Sequence, residues 1–357
     1  MAQNRLFWAV QAIGIKPNGD ELAYTPVHGA QTVGLTTTSN LEQVFEQGQI
    51  EIYENIEDIP DIEITLEKVL DGYPLIYHLA TQGAPSSGIS GRQNQESIVA
   101  LSLFDDTSLS ADGTPLATIE ASGMFVSSIS YTFPVDGNFT ESVTLVGNDK
   151  LTSEGGESNY GIAFSDTIFD NTDVPFSLAD SGGVQRRENL VFDLDDFTDT
   201  DLTVFTVLPV QIPGISSVGK NEKDAGGNFL THVQNITVSA DFGRENINEL
   251  GRKGPYHRFV QFPVEVTTDI EIIALSGDFV DATEAGVLAD GNNFLDEQIT
   301  IQTEEGTLIN VGPRNKLSSV TYGGGDSGGG NVTITYSYSG FNVLSVAHPE
   351  DPSIPLG

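Results

Sequence analysis

The 357-residue chain has no cysteine. Disulfides, thiolate metal sites and thiol nucleophiles are therefore excluded. Positive charge is scarce: 15 Lys and Arg stand against 51 Asp and Glu, a formal net charge of -36 at pH 7. So acidic a chain disfavours nucleic acid and anionic membrane surfaces as ligands, and acidity also serves solubility. No apolar run reaches the roughly 18 residues of a membrane-spanning helix. Nothing near Met1 reads as a signal peptide, because the apolar stretch after Arg5 is broken at Gln11 and Gly14. The expectation is a soluble protein made in a cytoplasm. The five histidines (His28, His78, His232, His257, His348) show neither HxxxH nor HExxH spacing, which leaves a transition-metal site without support. No nucleotide-binding glycine string occurs.

What is present is glycine (38 residues) and short runs rich in Val, Ile, Thr and Phe. This is a mainly-β composition, long enough for two domains or one large β domain. The period-two signal is strongest at 232–278. There Val233, Val238 and Ala240 alternate with polar residues. Further on, Val264, Val266, Ile270 and Ile272 alternate with Glu265, Thr267, Asp269 and Glu271. Asp61–Val69 alternates as cleanly, with Ile62, Ile64 and Leu66 against Glu63, Thr65 and Glu67. Strands are also expected at Leu6–Ile15, Gln31–Thr38, Gln49–Tyr53 and Ser97–Phe104. Ser39–Gln47 fits a helix or a strand. Thr118–Phe133 and Phe139–Val146 read as a hairpin about Asp136-Gly137. Tyr73–Thr81 reads as a short helix started by Pro74.

Four regions follow. Residues 1–149 and 231–290 form two parts of a β core. Residues 150–230, rich in Gly, Ser, Asp and Asn, are a loop-rich insertion on the outer surface. Residues 291–357 are an appended β-rich C-terminal domain or decoration, with strands at Gln298–Thr303, Thr307–Val311, Leu317–Tyr322, Val332–Tyr338 and Phe341–Val346. No internal repeat is evident.

Two strings invite chemistry. Gly325-Asp326-Ser327-Gly328-Gly329 spells the nucleophile string of serine proteases, yet it sits inside a glycine tract with no histidine context for a triad, and a hairpin loop accounts for it. Asp193, Asp195, Asp196, Asp199 and Asp201 offer oxygen ligands, but Thr198 stands where a calcium loop needs glycine, and an exposed acidic loop accounts for them. No catalytic constellation, metal site or cofactor site is predicted, so the chain reads as a structural protein and not an enzyme.

Three stretches carry a resemblance: DIEITLEKVLDGYPLIYHLAT (Asp61–Thr81), TESVTLVGNDK (Thr140–Lys150) and FGRENINELGRKGPYHRFVQFPVEVTTDIEIIALSGD (Phe242–Asp278). Together they resemble the tail tube (major tail) proteins of tailed bacteriophages, over roughly the first 150 residues and 230 to 290. The resemblance implies a β-sandwich with long hairpins that close into a shared inner barrel, and a short flanking helix at Tyr73–Thr81. It implies homo-hexameric rings stacked into a tube in the virion tail, assembled in the host cytoplasm. An inter-ring arm falls at Gln31–Tyr53. The implied partners are other tail proteins (terminator, baseplate or tip, a sheath where the tail has one). Viral DNA passes through an acidic lumen for genome delivery without specific binding, and neither membrane nor cofactor is involved.

Within that resemblance the wet-face residues Glu120, Ser128, Ser130, Thr132, Thr140, Ser142, Thr144, Thr237, Ser239, Glu265, Thr267, Asp269 and Glu271 become lumen candidates. Arg252, Lys253 and Arg258 become inter-subunit candidates, as rare cations in an acidic chain. The competing reading is a β-sandwich surface adhesin or binding module, supported by composition alone.

Overall fold

A computed structural model describes residues 6–19, 23–106, 114–155, 158–160, 183–191, 233–251, 254–273, 296–324 and 331–351. The chain is mainly β, as its composition requires. After a 3-10 turn at Trp8–Val10, the first half supplies β1 (Gln11–Pro17), β2 (Thr25–Pro26), β3 (Ala30–Thr38), β4 (Leu41–Phe45), β5 (Ile52–Glu57) and β6 (Asp61–Val69). Two short helices follow, α1 (Ile76–Ala80) and α2 (Ile89–Arg92). Then come β7 (Ser97–Leu103), β8 (Ala117–Pro134), β9 (Thr140–Gly147) and β10 (Asp149–Glu154). The second half supplies β11 (Val233–Asp241), β12 (Arg244–Ile247), β13 (His257–Val260), β14 (Glu265–Ile273), β15 (Glu297–Gln302), β16 (Leu308–Gly323), β17 (Thr333–Phe341) and β18 (Ser345–Ala347).

The main feature is one antiparallel run in the order β3-β6-β9-β8-β11-β14-β17-β16. The long strands β8 and β16 leave this run at their N-terminal ends. There β8 pairs with β7 and β10, and β16 with β15 and β18. β7 carries β1 and β2 beyond it. One face of the run is apolar. Its Ile62, Ile64, Leu66, Ile129, Val143, Leu145, Val238, Ile270 and Ile334 join a single buried cluster with Ile13 and Ile15 of β1 and Leu75, Ile76 and Leu79 around α1. Burial of such aliphatic side chains, about 1.5–3 kcal/mol each, dominates the stability of the fold.

Several expectations change. The segment 291–357 is not an appended domain within its described part: β17 lies beside β14 and continues the core sheet. Ser39–Gln47 is extended and pairs with Ile52–Glu57 as a hairpin of its own. Leu6–Ile15 opens with the 3-10 turn, and Trp8 is exposed. The helix is shorter than Tyr73–Thr81, since Leu75 is extended and α1 runs only over Ile76–Ala80. Most of 161–230, with Asp193–Asp201, and the string 325–329 lie outside the described residues.

Buried ionic groups brace the segment before α1 and tie the two helices to the last described strand and the residues after it. Lys68 reaches Asp71 at 3.0 Å and the carbonyls of Tyr73 and Pro74. Arg92 pairs with Asp351 near the C-terminus, and His78 donates Nε2–H to the Val346 carbonyl. Burial and the nearby Arg92 cation push His78 down to about 4, so it stays neutral in the fold. Glu305 is also fully buried, and burial pushes its carboxyl up to about 7 from 4.5.

The two groups act in opposite directions. Stability from His78 is present above about pH 6.5 and is lost as pH falls toward 4, where only the unfolded chain gains the proton. Stability from Glu305 is present below about pH 4.5 and is lost as pH rises through 7, where only the unfolded chain loses the proton. Glu305→Gln is therefore expected to raise unfolding free energy at pH 8 by an amount on the order of 3 kcal/mol relative to its effect at pH 4. Urea melts of both proteins across that range check it; a pH-independent difference overturns the assignment.

Candidate functional site: the polar face of the long sheet

A strand alternates its side chains, so covering one face of the run leaves the other wet. Opposed residues in antiparallel pairs share a face, and the registers therefore assemble it. One row crosses the whole run: Thr32, Glu67, Ser142, Ser130, Ser239, Thr267, Ser339 and Lys316. The row beside it reads Thr140, Thr132, Thr237, Asp269, Ser337 and Ser319. Asn235, Glu271, Thr335 and Thr321 form another on one flank, and Gly34, Thr65, Thr144, Ser128 and Asp241 on the other.

The result is a hydroxyl-rich surface dotted with carboxylates from Glu67, Asp241, Asp269 and Glu271, against the single ammonium of Lys316. It gathers the sequence-predicted residues Ser128, Ser130, Thr132, Thr140, Ser142, Thr144, Thr237, Ser239, Thr267, Asp269 and Glu271, with Glu265 opposite Phe341 at its margin.

Glu120 does not belong to it. That residue is buried in the N-terminal part of β8 and accepts hydrogen bonds from Tyr24 Oη (2.7 Å), Ser158 Oγ (2.6 Å) and the Asn159 amide (2.7 Å). Burial alone would raise its carboxyl; these donors outweigh burial and hold it below the usual range. The reason for the displacement is local. β8 has an extra residue at Ser127, between the pairs Val126–Leu145 and Ser128–Thr144. A second register shift, between Ala121 and Met124 against β7, lies closer to Glu120. This end of β8 pairs with β7 and β10 instead of β9 and β11, so the alternation after Ser127 does not carry back to Glu120.

Sequence reading also missed contributors. Thr335, Ser337 and Ser339, within the segment 291–357 expected to be an appended domain or decoration, also sit on the face. Their signal was the alternation of TITYSYSGF itself, which matches β14 in period.

The inter-subunit candidates part company. Arg258 is nearly buried within its own chain: Nη2 donates to Asn148 Oδ1 at 2.8 Å and lies 3.2 Å from Asp61 Oδ1. It pins the β12–β13 hairpin to β6 and β9. Arg244 does likewise, donating to the carbonyls of Val126 (2.7 Å) and Gln93 (2.6 Å). Arg252 and Lys253 lie outside the described residues. By contrast the β4–β5 hairpin is solvent-exposed along nearly its whole length and shows Leu41, Phe45, Ile52 and Ile56 to solvent, with Ile50 at its turn 99 % exposed.

The face has no acid–base pair beside a nucleophile, and among the described residues no group of three metal-ligating side chains occurs. What it can do is bind water and repel anions. Among the described residues, no helix is long and apolar enough to cross a membrane.

No protein-family model and no curated protein matches the chain. Solved structures do. A chain of the anti-feeding prophage baseplate is 12 % identical, with 43 % of this chain and 97 % of that chain covered at a TM-score of 0.32. A chain from an extracellular contractile injection system, in a sheath/tube terminator structure, is 16 % identical over 43 % and 99 % at 0.30. A chain of a native gene transfer agent virion is 10 % identical over 46 % and 98 % at 0.28. Likenesses this distant do not assign this chain a role.

Proposed function

We propose that the protein is a structural subunit of a phage-type tail tube, a hollow conduit built from stacked rings of six sandwich units, whose lumen is the polar face of the long sheet. The observation that carries this reading is the sheet: one face sealed by a core, the other a hydroxyl and carboxylate surface spanning eight strands, with both outer edges lacking a strand neighbour among the described residues. Lateral closure removes edges that would otherwise invite aggregation. An acidic, hydroxylated wall lets DNA slide, because it offers phosphate few cations and releases few counterions. The β4–β5 hairpin is the arm that reaches the adjacent ring, since Phe45, Ile50 and Ile52 expose apolar area that no described residue covers. Other tail proteins cap the tube at its two ends, and its place is the virion tail.

Electron micrographs of the purified protein are expected to show rings and stacked tubes. With Phe45→Asp and Ile50→Asp together, rings persist and stacking is lost. A strict monomer at high concentration in every salt condition overturns the reading; tubes of unchanged length in the double variant overturn the role of the arm.

A further inference from the structure

The long sheet repeats itself. The first half contributes β3, β6, β8 and β9, lying side by side as β3-β6-β9-β8. The second contributes β11, β14, β16 and β17, lying as β11-β14-β17-β16. Chain order and spatial order correspond in the two halves. Each half inserts a hairpin between its first and second strands, β4–β5 in one and β12–β13 in the other. Each third strand is long, preceded by a partner for its N-terminal end (β7, β15) and followed later by a second (β10, β18).

The irregularities coincide too. The first strand carries an extra residue at Gln31 in one half and at Gln234 in the other. The third strand carries one at Ser127 and at Ser318. From Gln31/Gln234 the equivalence runs without insertion through Gly48/Gly251 to Pro60/Pro263. Both hairpin glycines have positive φ, 101° and 87°. Bulges are specific features of a strand pair, and two at matching places mark a duplicated unit.

The units meet where β11 lies against the C-terminal part of β8, through the pairs Ser128–Asp241, Ser130–Ser239 and Thr132–Thr237. The equivalent of β8 is β16, and the equivalent of β11 is β3. These are the two edges of the sheet. We infer that they are mates: β16 of one copy pairs with β3 of the next in the register of the internal joint, Ser319 opposite Thr38, Thr321 opposite Thr36 and Gly323 opposite Gly34. The side chains fit. At the internal joint Tyr131 and Val238 are opposed and buried. Their equivalents at the edges are Tyr322, 50 % exposed, and Leu35, partly buried.

A joint between copies that repeats the joint within a copy also repeats its rotation, so the ring closes as a regular array of units. Resting on the tube reading above, each chain supplies two units. A ring of six units therefore contains three chains, and not the six chains that a one-unit subunit requires.

The absence of cysteine makes the test clean. Opposed residues of antiparallel strands have Cα atoms about 4.5–5.5 Å apart, within disulfide range. Thr36→Cys with Thr321→Cys is expected to give, on mild oxidation of assembled protein, a covalent ladder ending at three chains. Thr32→Cys with Thr321→Cys, out of register by about 13 Å, should give roughly tenfold less product. The native mass of wild-type rings, which needs no variant, should be three times the 38.2 kDa chain mass. A ladder or mass of six chains overturns the count and leaves the tube reading standing. Assembled rings that fail to cross-link, or cross-link equally out of register, overturn the joint alone. Absence of any assembly overturns both.

Discussion

Tyr322→Lys is expected to leave the monomer folded and to prevent ring formation. Tyr322 is half-exposed at the sheet edge, so lysine there keeps its ammonium in water while the chain is alone. In the assembled joint the same position is the counterpart of Tyr131, which is fully buried between strands. A lysine there has to bury its charge without a partner, at a cost of several kcal/mol per joint. Every joint of a closed ring pays that penalty, so association falls by orders of magnitude. Sedimentation or light scattering should show monomer at concentrations where the wild type forms rings, with an unchanged circular dichroism spectrum. Rings of wild-type stability in this variant would exclude β16 from the contact.

The largest effect on the fold itself is expected at Glu141. This carboxylate is fully buried on β9. It accepts the Ile76 amide at 2.6 Å, the Tyr77 amide at 3.2 Å and the Tyr131 hydroxyl at 2.9 Å. The two amides are orphan donors at the start of α1, a single turn with no side-chain cap of its own. Burial raises the Glu141 carboxyl, and the Lys68 cation together with the three donors opposes that rise.

Glu141→Ala removes the acceptor and leaves the three donors unpaired in the core, at about 1–3 kcal/mol each before relaxation. It also leaves Lys68 with one neighbouring anion fewer. A loss of about 3–5 kcal/mol of unfolding free energy is expected, read as a lowered urea midpoint with an unchanged slope. A loss under about 1 kcal/mol would mean that water replaces the carboxylate and that α1 does not depend on it. Because Glu141 corresponds to Ile334 in the second unit by strand register, this device belongs to one half only. It marks where the duplicated units have diverged to hold the two helices.

By itself the sequence determined that the chain is mainly β, where most strands lie and, for the strands that alternate without interruption, which side is wet. Alternation in Asp61–Val69, Thr140–Val146 and Glu265–Ile272 is a local property of a strand with one covered face, so it can be read without knowing the neighbours. The resemblance to tail tube proteins rested on those same runs. Tertiary structure decided which strands are neighbours and in what register. That Thr132 faces Thr237, or that β17 lies beside β14, depends on pairing across long stretches of chain, and period two is blind to it. Strand irregularities settled the rest. The register shifts of β8 between Ala121 and Met124 and at Ser127 separate Glu120 from the wet face, so alternation read straight through them misplaces it as a wall residue. The matching residue at Ser318 revealed a repeat that side-chain identity had almost erased. A fold constrains where a strand bends and which face is apolar, and it leaves most individual residues open to replacement.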